Sequence, residues 1–384
     1  MRINEFGGLD NVNPPTSFGL GRLAVATNVS ILDDKSIKTR QGVTPISESS
    51  ISAAWVGESI ALYVSASGSL HTVNAAMADS VVATGLTPMP FLFAHELDDR
   101  CYWSNRAQSG VIVNGASRSI GIQTPELHEI TISTGLMPDG IYHYTITLTR
   151  ADGYESGAPA SGSFSALGGA SVALNVEVPD GCAYATLYMT TANGDVMYRA
   201  ASSATGELRY FSDTSAFMVP LRNYLCEAPP VFNYACEHNG TMLYAVGNTL
   251  YQSLPHNYEM VYALDFLQFD GAITMLASVG DGFYLSAGGV TRWISGGPSL
   301  HEMASSRIMK SEAIDGAFHV HDADVYGKTG ICVTWTCKDG ICAGFSGGSA
   351  SNITLNVFAP GAFNRGAVGI TEDSGSKHIV STLS

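Results

Sequence analysis

One short pattern recurs along this chain: two apolar, β-forming runs joined by a glycine turn. In residues 239–253 the Leu-Tyr pairs 243–244 and 250–251 flank Gly247-Asn248, which predicts two strands joined by a tight hairpin turn. An isolated hairpin is at best marginally stable in water, so this one must pack against other parts of the chain. Comparable hairpins are predicted at 57–73, 98–113, 280–295 and 330–346.

The spacing of these hairpins constrains the fold. Their leading positions are Gly57, Asp99, Gly240, Gly282 and Gly330, separated by roughly 40 to 48 residues except for one long interval after Asp99. Strand repeats of this period are typical of the blades of a β-propeller, in which no blade buries its faces without its neighbours. Unrelated hairpins stacked in a sandwich are the alternative, and the regular spacing favours blades.

The long interval has a different pattern. Between residues 127 and 219, alternating strands are separated by turn signals at 152–153, 179–181 and 192–195, as in an immunoglobulin-like or fibronectin-like sandwich. The predicted fold class is therefore all-β: a β-propeller-like domain with an inserted β-sandwich. The predicted domains are residues 1–126 (N-terminal segment and first blades), 127–219 (inserted sandwich module) and 220–384 (remaining blades).

Charge and cysteine content narrow the classes of partner. The 384 residues carry a net charge of −15, whereas tight binding of nucleic acid needs clustered Lys and Arg. No apolar stretch reaches the roughly 18 residues of a transmembrane helix, and the first residues lack the apolar region of a secretory signal. Seven cysteines, an odd number, predict reduced thiols in a protein made in a cytoplasm.

One motif resembles a catalytic serine turn. Residues 344–348 match G-x-S-x-G around Ser346, a motif that works when a strand-to-helix turn lifts the serine above a parallel sheet. Here the surrounding sequence predicts strand, glycine loop and strand, with no helix after the serine. We therefore expect Ser346 to have no catalytic role.

Cysteine and histidine spacings raise the question of a metal site. Cys332 and Cys337 should point to opposite faces of one strand, and a turn at Asp339-Gly340 would place Cys337 opposite Cys342 as a cross-strand pair of structural thiols. His319 and His321 share a strand face, with Asp322 and Asp324 nearby. Two imidazoles need a third ligand to hold zinc, so a surface pair is the favoured interpretation.

Acidic residues cluster in one predicted loop, at Glu96, Asp98 and Asp99. Glycoside chemistry needs two carboxylates set at a defined separation across a cleft, and neighbouring acids in one loop do not predict that geometry. We expect a solvated turn. No phosphate-binding glycine motif occurs either. The sequence thus predicts no catalytic, cofactor-binding or metal-binding residue, no cofactor and no enzymatic activity.

Several segments together resemble a known family. Residues 4–46 are similar to the N-terminal signature of bacteriophage tail nozzle proteins and related virion proteins, with a Gly-Gly-hydrophobic phrase at 7–9, Asn28-Val29 and Arg-x-Gly at 40–42. Residues 142–161 and 187–201 resemble the inserted module of that family, although Tyr188-Met189 stands where the family more often has Tyr-Arg. Residues 226–259 resemble the return into its propeller.

This resemblance implies a non-enzymatic structural subunit of a phage tail. The chain would be made in the host cytoplasm and end in the virion, in a homo-oligomeric ring that contacts an adaptor or tail tube and tail fibres. DNA would pass through the ring during genome ejection without specific binding, and the acidic surface would repel its phosphates. No membrane span is expected.

Two other functions remain open at this stage. A receptor- or carbohydrate-binding propeller at a tail tip would expose aromatic side chains on loops, and Tyr102, Trp103 and Tyr258 are the candidates. A propeller glycosidase such as a sialidase would repeat Ser-x-Asp-x-Gly-x-x-Trp turns, which do not occur in the sequence.

The ends of the chain carry one further expectation. Residues 28–32 alternate as a short strand, and 366–370 and 378–384 offer two short partners. Because closure of a propeller removes exposed sheet edges, we expect the N-terminal strand to pair with these C-terminal strands and complete a blade.

Overall fold

The computed structural model describes residues 5–19, 21–27, 29–31, 34–39, 50–212, 217–325, 328–373 and 376–384. Within these residues the helical segments are 3-10 turns of three residues each, and none is long and apolar enough to cross a membrane. The strands form small, almost entirely antiparallel sheets. The all-β fold class is therefore confirmed.

The N-terminal segment forms two short ribbons. In the first, two strands run parallel, and in the second they run antiparallel. A 3-10 turn, Pro15–Ser17, begins with a proline, whose fixed φ suits a helical start. The strands are β1 (Gly8–Leu9), β2 (Arg22–Leu23), β3 (Val29–Ile31) and β4 (Ile37–Thr39).

Sheets I and II are four-stranded antiparallel meanders, in which spatial order follows chain order. The hairpins predicted at 57–73 and 98–113 are both present. Sheet I comprises β5 (Ile51–Val56), β6 (Ile60–Ser65), β7 (Leu70–Asn74) and β8 (Asp79–Ala83), and sheet II comprises β9 (Phe93–Leu97), β10 (Arg100–Ser104), β11 (Ser109–Val113) and β12 (Ala116–Arg118).

The module, as we name residues 127–219, contains two sheets that enclose one apolar core. Alternate residues of its longest strand, from Tyr142 to Leu148, are buried in that core, because successive side chains on a strand point to opposite faces. The strands are β13 (Thr131–Met137), β14 (Gly140–Arg150), β15 (Gly162–Ala166), β16 (Ala170–Asn175), β17 (Cys182–Thr190), β18 (Met197–Ser203) and β19 (Glu207–Tyr210), in the orders β13-β16-β19 and β15-β14-β17-β18.

Sheets III, IV and V follow the module. The hairpin of residues 239–253 is confirmed: Val246 pairs with Thr249 across Gly247-Asn248, and Gly247 supplies the positive φ of 59° that the turn needs. The other two predicted hairpins are also present. Sheet III comprises β20 (Cys226–Glu227), β21 (Tyr234–His238), β22 (Thr241–Val246), β23 (Thr249–Leu254) and β24 (Asn257–Gln268).

Sheets IV and V repeat the four-stranded meander, and a final hairpin comes after them. A 3-10 turn (Leu300–Glu302) precedes the last strand of sheet IV. Sheet IV comprises β25 (Ile273–Val279), β26 (Gly282–Ala287), β27 (Val290–Gly296) and β28 (Met303–Met309); sheet V comprises β29 (Ala313–Val325), β30 (Lys328–Cys337), β31 (Gly340–Phe345) and β32 (Ser349–Asn352); the hairpin is β33 (Gly366–Asp373) with β34 (Ser376–Leu383).

In sheets II, III and IV, neighbouring apolar residues of one hairpin strand serve two different cores. In β22, Leu243 lies in the core shared with sheet IV, whereas its neighbour Tyr244 lies in the core shared with sheet II. In β26, Phe283 faces sheet III and Tyr284 faces sheet V. A sheet with neighbours on both sides needs apolar residues on both faces, which explains why the repeated signature is a pair rather than a single apolar position.

The sheets are also ordered along one edge. One edge strand of each sheet lies against an edge strand of the next: β5 against β9, β9 against β21, β21 against β25, β25 against β29, and β29 against β33. Sheets I to V and the final hairpin therefore form one continuous series in chain order, although the module separates sheets II and III in sequence.

The expected closure by strand pairing is wrong. Of residues 28–32, the described part, 29–31, pairs with Ile37–Thr39, and β33 pairs with β34. The N-terminal segment instead reaches the far part of the chain through hydrogen bonds. The Asn11 side chain makes two hydrogen bonds of 2.9 Å with the backbone of Ala359, donating to its carbonyl and accepting from its N–H. The Asn13 side chain donates to the carbonyl of Asn356.

Candidate functional site

A buried carboxylate lies where the module meets sheets II and III. Glu259, on β24, has a side chain only 2% exposed. Arg118 binds it bidentately, with both nitrogen–oxygen distances 2.7 Å, and Arg100 approaches Oε1 at 3.0 Å. Arg150, from β14 of the module, lies 3.4 Å from Oε2. We name Glu259 with these three arginines the arginine cluster.

Electrostatics keep this carboxylate ionised. Burial alone would raise the pKa of Glu259, but the hydrogen bonds from Arg118 and from the backbone N–H of Gly121 outweigh it, so the pKa lies below its ordinary value. Tyr154, from the module, donates its hydroxyl to the Glu259 carbonyl at 2.7 Å. The arginine cluster thus joins one strand of the module to two sheets through a buried carboxylate and three arginines that keep 15–41% of their side-chain surface exposed.

A second set of contacts fixes the same junction. The backbone of Ala158 exchanges hydrogen bonds of 3.0 Å with Asn223 and Leu225. Gly157 lies so close to Cys226 that a Cβ at this position would be 1.7 Å from the Cys226 carbonyl oxygen. Only glycine permits this approach. The module is therefore bound along its edge and is not merely tethered at its two ends.

A polar cavity of about 460 Å³ opens beside the arginine cluster. Its walls contain carboxylates, which accept hydrogen bonds, a guanidinium group, which donates them, and two tyrosine rings. These groups suit a polar, uncharged ligand better than an anion, because the arginine cluster already uses its cations on Glu259. The lining residues are Leu97, Asp98, Asp99, Arg100, Tyr154, His256, Asn257, Tyr258 and Glu259.

A second, half-buried ion pair joins sheets II, III and V. Arg106 binds Asp315 through two hydrogen bonds of 2.8 and 2.7 Å, donates to the Tyr234 hydroxyl at 2.9 Å, and stacks 3.6 Å from the centroid of the Phe91 ring. The apolar cavity nearby, about 730 Å³, lies among β5, β29 and the final hairpin. This ion pair holds sheets together and supplies no nucleophile to the cavity.

The serine of the G-x-S-x-G motif lies in a strand–turn–strand context. Ser346 begins a 3-10 turn, Ser346–Gly348, between β31 and β32. The next residue, Gly347, donates its N–H to Asp281 of sheet IV at 2.8 Å. The absence of a following α-helix at this place agrees with the sequence-based expectation.

The cysteine register differs from the expected one. The two-residue turn is Lys338-Asp339, so Cys337 pairs with Gly340, and Cys342 is opposite Trp335. Cys337 and Cys342 are nevertheless diagonal neighbours, with their sulfur atoms 3.7 Å apart. Cys332 lies on the opposite face, as expected, where its sulfur is 3.6 Å from His321 Nε2.

The two histidines of β29 stack on each other. The rings of His319 and His321 are 6.0 Å apart at 18°, and His321 Nε2 lies 2.8 Å from Thr334 Oγ1. Burial, and then the neighbouring imidazole, lower the pKa of His319. The side chain of Asp324 lies outside the described residues. Among the residues whose side chains are described, no group of three or more metal ligands occurs.

The acidic loop is only partly a solvated turn. Glu96 lies on β9 and accepts hydrogen bonds from the backbone N–H groups of Ser59 and Ile60 at 3.2 and 3.1 Å, so it ties sheet II to sheet I. The expectation of a solvated turn is therefore wrong for Glu96. Asp98 and Asp99 are exposed, as expected.

Two of the three candidate aromatic residues are not available to a partner. Tyr102 and Trp103 are 0% and 3% exposed, and they belong to the cores on the two faces of β10. The expectation that they mark an exposed loop is wrong, because both lie within a strand. Tyr258 lies at the polar cavity.

The arginine cluster was missed by sequence reasoning. Its members are separated by 109 to 159 positions from Glu259, and no spacing rule connects them. One weak signal was present: Glu259 is a single acidic residue in an otherwise apolar strand segment, Tyr258 to Tyr262. Buried charges are normally paired, so this position implied an unseen cation.

His95 makes stability depend on pH. Its Nε2 accepts the backbone N–H of Glu237 at 3.1 Å, and burial lowers its pKa to about 4. Between pH 6.5 and 4, His95 is protonated in the unfolded chain but neutral in the folded chain. The free energy of unfolding should therefore fall by roughly 1–3 kcal/mol as the pH drops from about 6.5 towards 4.

Urea unfolding of the wild type and of His95→Gln at several pH values measures this loss. The glutamine can still accept from Glu237 but does not titrate, so its stability should vary less across this window. His238 shifts in the same direction and leaves a residual slope. Identical slopes in both proteins would contradict the assignment.

Comparisons with known proteins add little. No family model and no curated protein matches the chain. The structure of BBS1N in complex with ARL6DN aligns with TM-score 0.32 and 8% identity, over 84% of this chain and 85% of that one. Apo AztD from Citrobacter koseri aligns with TM-score 0.28 and 11% identity, over 91% of this chain and 92% of that one. The designed Ika8 protein aligns with TM-score 0.25 and 9% identity, over 87% of this chain and 96% of that one. Likenesses this weak carry no argument about function.

Proposed function

We propose that this chain is a structural subunit of a bacteriophage tail, a β-propeller-like body with an inserted immunoglobulin-like or fibronectin-like module that assembles into a homo-oligomeric ring. The observation that carries the proposal is the place of the module. It leaves the series of sheets after β12 and returns at β20, the position that the resemblance to tail nozzle proteins implies for their inserted module.

The edge-to-edge order of the sheets supports the propeller-like body. The contacting edge strands follow one another in chain order, and separate apolar cores lie between sheets I and II, II and III, III and IV, and IV and V. Blades arranged around an axis have both properties. The two sheets of the module, with three and four strands around one core, support the sandwich.

The arginine cluster suits such a subunit. A ring through which DNA passes must keep its parts in fixed relative positions, and the junction binds the module by the charge pairs of the buried Glu259 and by backbone contacts at Gly157. With a net charge of −15, the chain has an excess of acid that would repel phosphates. In this role adaptor, tube and fibre proteins are its partners.

Particle composition tests the proposal. Particles purified by density gradient from a culture that produces this chain should contain it in several copies each, and antibodies raised against the purified chain should label one end of the tail in micrographs. A chain that stays in the unassembled fraction while the other structural proteins are recovered in particles would refute a virion role.

A second function has one observation in its favour. The polar cavity beside Tyr258 has the size of a small-ligand site, which is typically 300–1,000 Å³, so the chain could bind a carbohydrate receptor at a tail tip. Glycan-array binding that is lost in Tyr258→Ala but kept in Tyr262→Ala, an exposed tyrosine of the same strand, would establish this function. Equal signals from both variants would exclude this cavity.

A further inference from the structure

Two buried thiols in sheet V lie close enough to react with each other. The sulfur atoms of Cys337 and Cys342 are 3.7 Å apart, and both residues are 0% exposed. They occupy the same face of neighbouring strands, in the core shared with sheet IV. A disulfide has its sulfur atoms about 2.0 Å apart, so the two sulfur atoms must approach each other by less than 2 Å. Diagonal partners have Cα atoms about 7–8 Å apart, more than the roughly 4.4–6.8 Å of most disulfides, so the strands of the hairpin must also shift.

The position of the pair in the hairpin allows that movement. Cys337 is the last residue of β30 before the turn at Lys338-Asp339, and Cys342 lies three residues beyond the turn on β31. Both turn residues are exposed. The end of a hairpin opens more easily than the middle of a sheet, so a small oxidant can reach sulfur atoms that are covered in the closed structure.

The surroundings prepare one sulfur as the nucleophile. A hydrogen bond from the Cys342 thiol lowers the pKa of Cys337 to about 6 against the effect of burial, and Ser311 Oγ, 3.5 Å away, acts in the same direction. Cys342 remains a thiol, since its pKa is raised. A thiolate next to a thiol is the arrangement from which a protein disulfide forms.

We propose that Cys337 and Cys342 are an oxidisable dithiol that closes to a disulfide across the β30–β31 hairpin when the protein meets a peroxide. The proposal depends on the contact between the sulfur atoms and not on the proposed function. In a reducing cytoplasm the pair stays a dithiol, and in oxidising surroundings it closes.

The chemistry is balanced with one peroxide per pair. The Cys337 thiolate attacks one peroxide oxygen, an S–O bond forms as the O–O bond breaks, and the leaving hydroxide takes a proton to become water. The Cys342 sulfur then displaces the hydroxyl group of the sulfenic acid. The S–S bond forms, the S–O bond breaks, and the Cys342 proton leaves with the hydroxyl as a second water.

Intact-mass analysis tests the proposal on the full-length chain. The reduced protein treated with hydrogen peroxide should lose about 2 Da, and a digest should contain a peptide linked between residues 337 and 342. The melting temperature of the oxidised protein should be about 2 °C higher than that of the reduced protein, as expected when a cross-link closes a short loop in a large chain. A reducing agent should reverse both changes.

Matched variants identify the pair. Cys337→Ser and Cys342→Ser should each abolish the mass loss, whereas Cys182→Ser, at a half-buried cysteine of the module, should keep it. If a serine variant in the core does not fold, the presence or absence of the peptide linked between residues 337 and 342 in the oxidised wild type still tests the proposal. Oxygen added at Cys337 without cross-linking, a link between other cysteines, or no reaction at the pair would each refute the proposal.

Discussion

Replacing Glu259 with glutamine should lower the free energy of unfolding by about 2–3 kcal/mol, the cost of removing the charged partner of hydrogen bonds from arginines that are 15–41% exposed and so remain partly hydrated. The glutamine has the same shape as the glutamate but removes the single negative charge that Arg100, Arg118 and Arg150 share. Chemical unfolding followed by far-UV circular dichroism measures the loss. Glu58→Gln, at an exposed position, is the matched control and should change stability by less than about 0.5 kcal/mol.

The same variant should change how the protein responds to acid. Because the folded pKa of Glu259 is lowered, its contribution is complete above the unfolded value of about 4.5 and disappears as the pH falls through the folded value. The wild type should therefore lose stability below about pH 4.5 more steeply than Glu259→Gln. Equal stability of variant and wild type at neutral pH would show that the arginine cluster is not the joint described here.

Replacing Gly157 with alanine should destabilise the junction by about 3 kcal/mol, near the upper end of the usual cost of forcing atoms into a packed site. The new methyl group would be 1.7 Å from the Cys226 carbonyl oxygen, and a backbone atom cannot turn aside as a side chain can. The Ala158 contacts with Asn223 and Leu225 should open. Hydrogen exchange of residues 156–158 and 223–226 should then increase, which locates the effect at the module.

Gly369→Ala is the control for this substitution. A Cβ there has no atom within 4 Å, so the melting temperature should stay within about 1 °C of the wild type. If Gly157→Ala melts like the wild type with unchanged exchange at the junction, the module is tethered through its linkers alone. A loss confined to the module, with sheets I to V intact, would support a module that folds on its own core.

The sequence alone determined the local elements of this protein. All five hairpins were predicted correctly because their signals lie within a few residues: alternation of side chains, and turn positions such as Gly247 where a positive φ is required. The all-β class followed from the same local signals.

Register and end contacts were harder to predict. A one-residue difference in the turn after Cys337 moved Cys342 from the opposite to the diagonal position, since turn signals at Lys338, Asp339 and Gly340 overlap. The N-terminal strand had apolar candidates for partners at both ends of the chain, and it pairs with the nearest one, Ile37–Thr39. A nearby partner requires less loop ordering than one at the C-terminus.

Only the tertiary structure decided which charges are buried together. The sequence around Glu259 implies that it needs a cation but does not say which one, because Arg100 and Arg150 lie more than 100 positions away. The same holds for Arg106 and Asp315, which are separated by 209 positions. A hairpin depends on neighbours along the chain. A charge pair between distant residues depends on which sheets pack against each other, and that is decided only when the whole chain has folded.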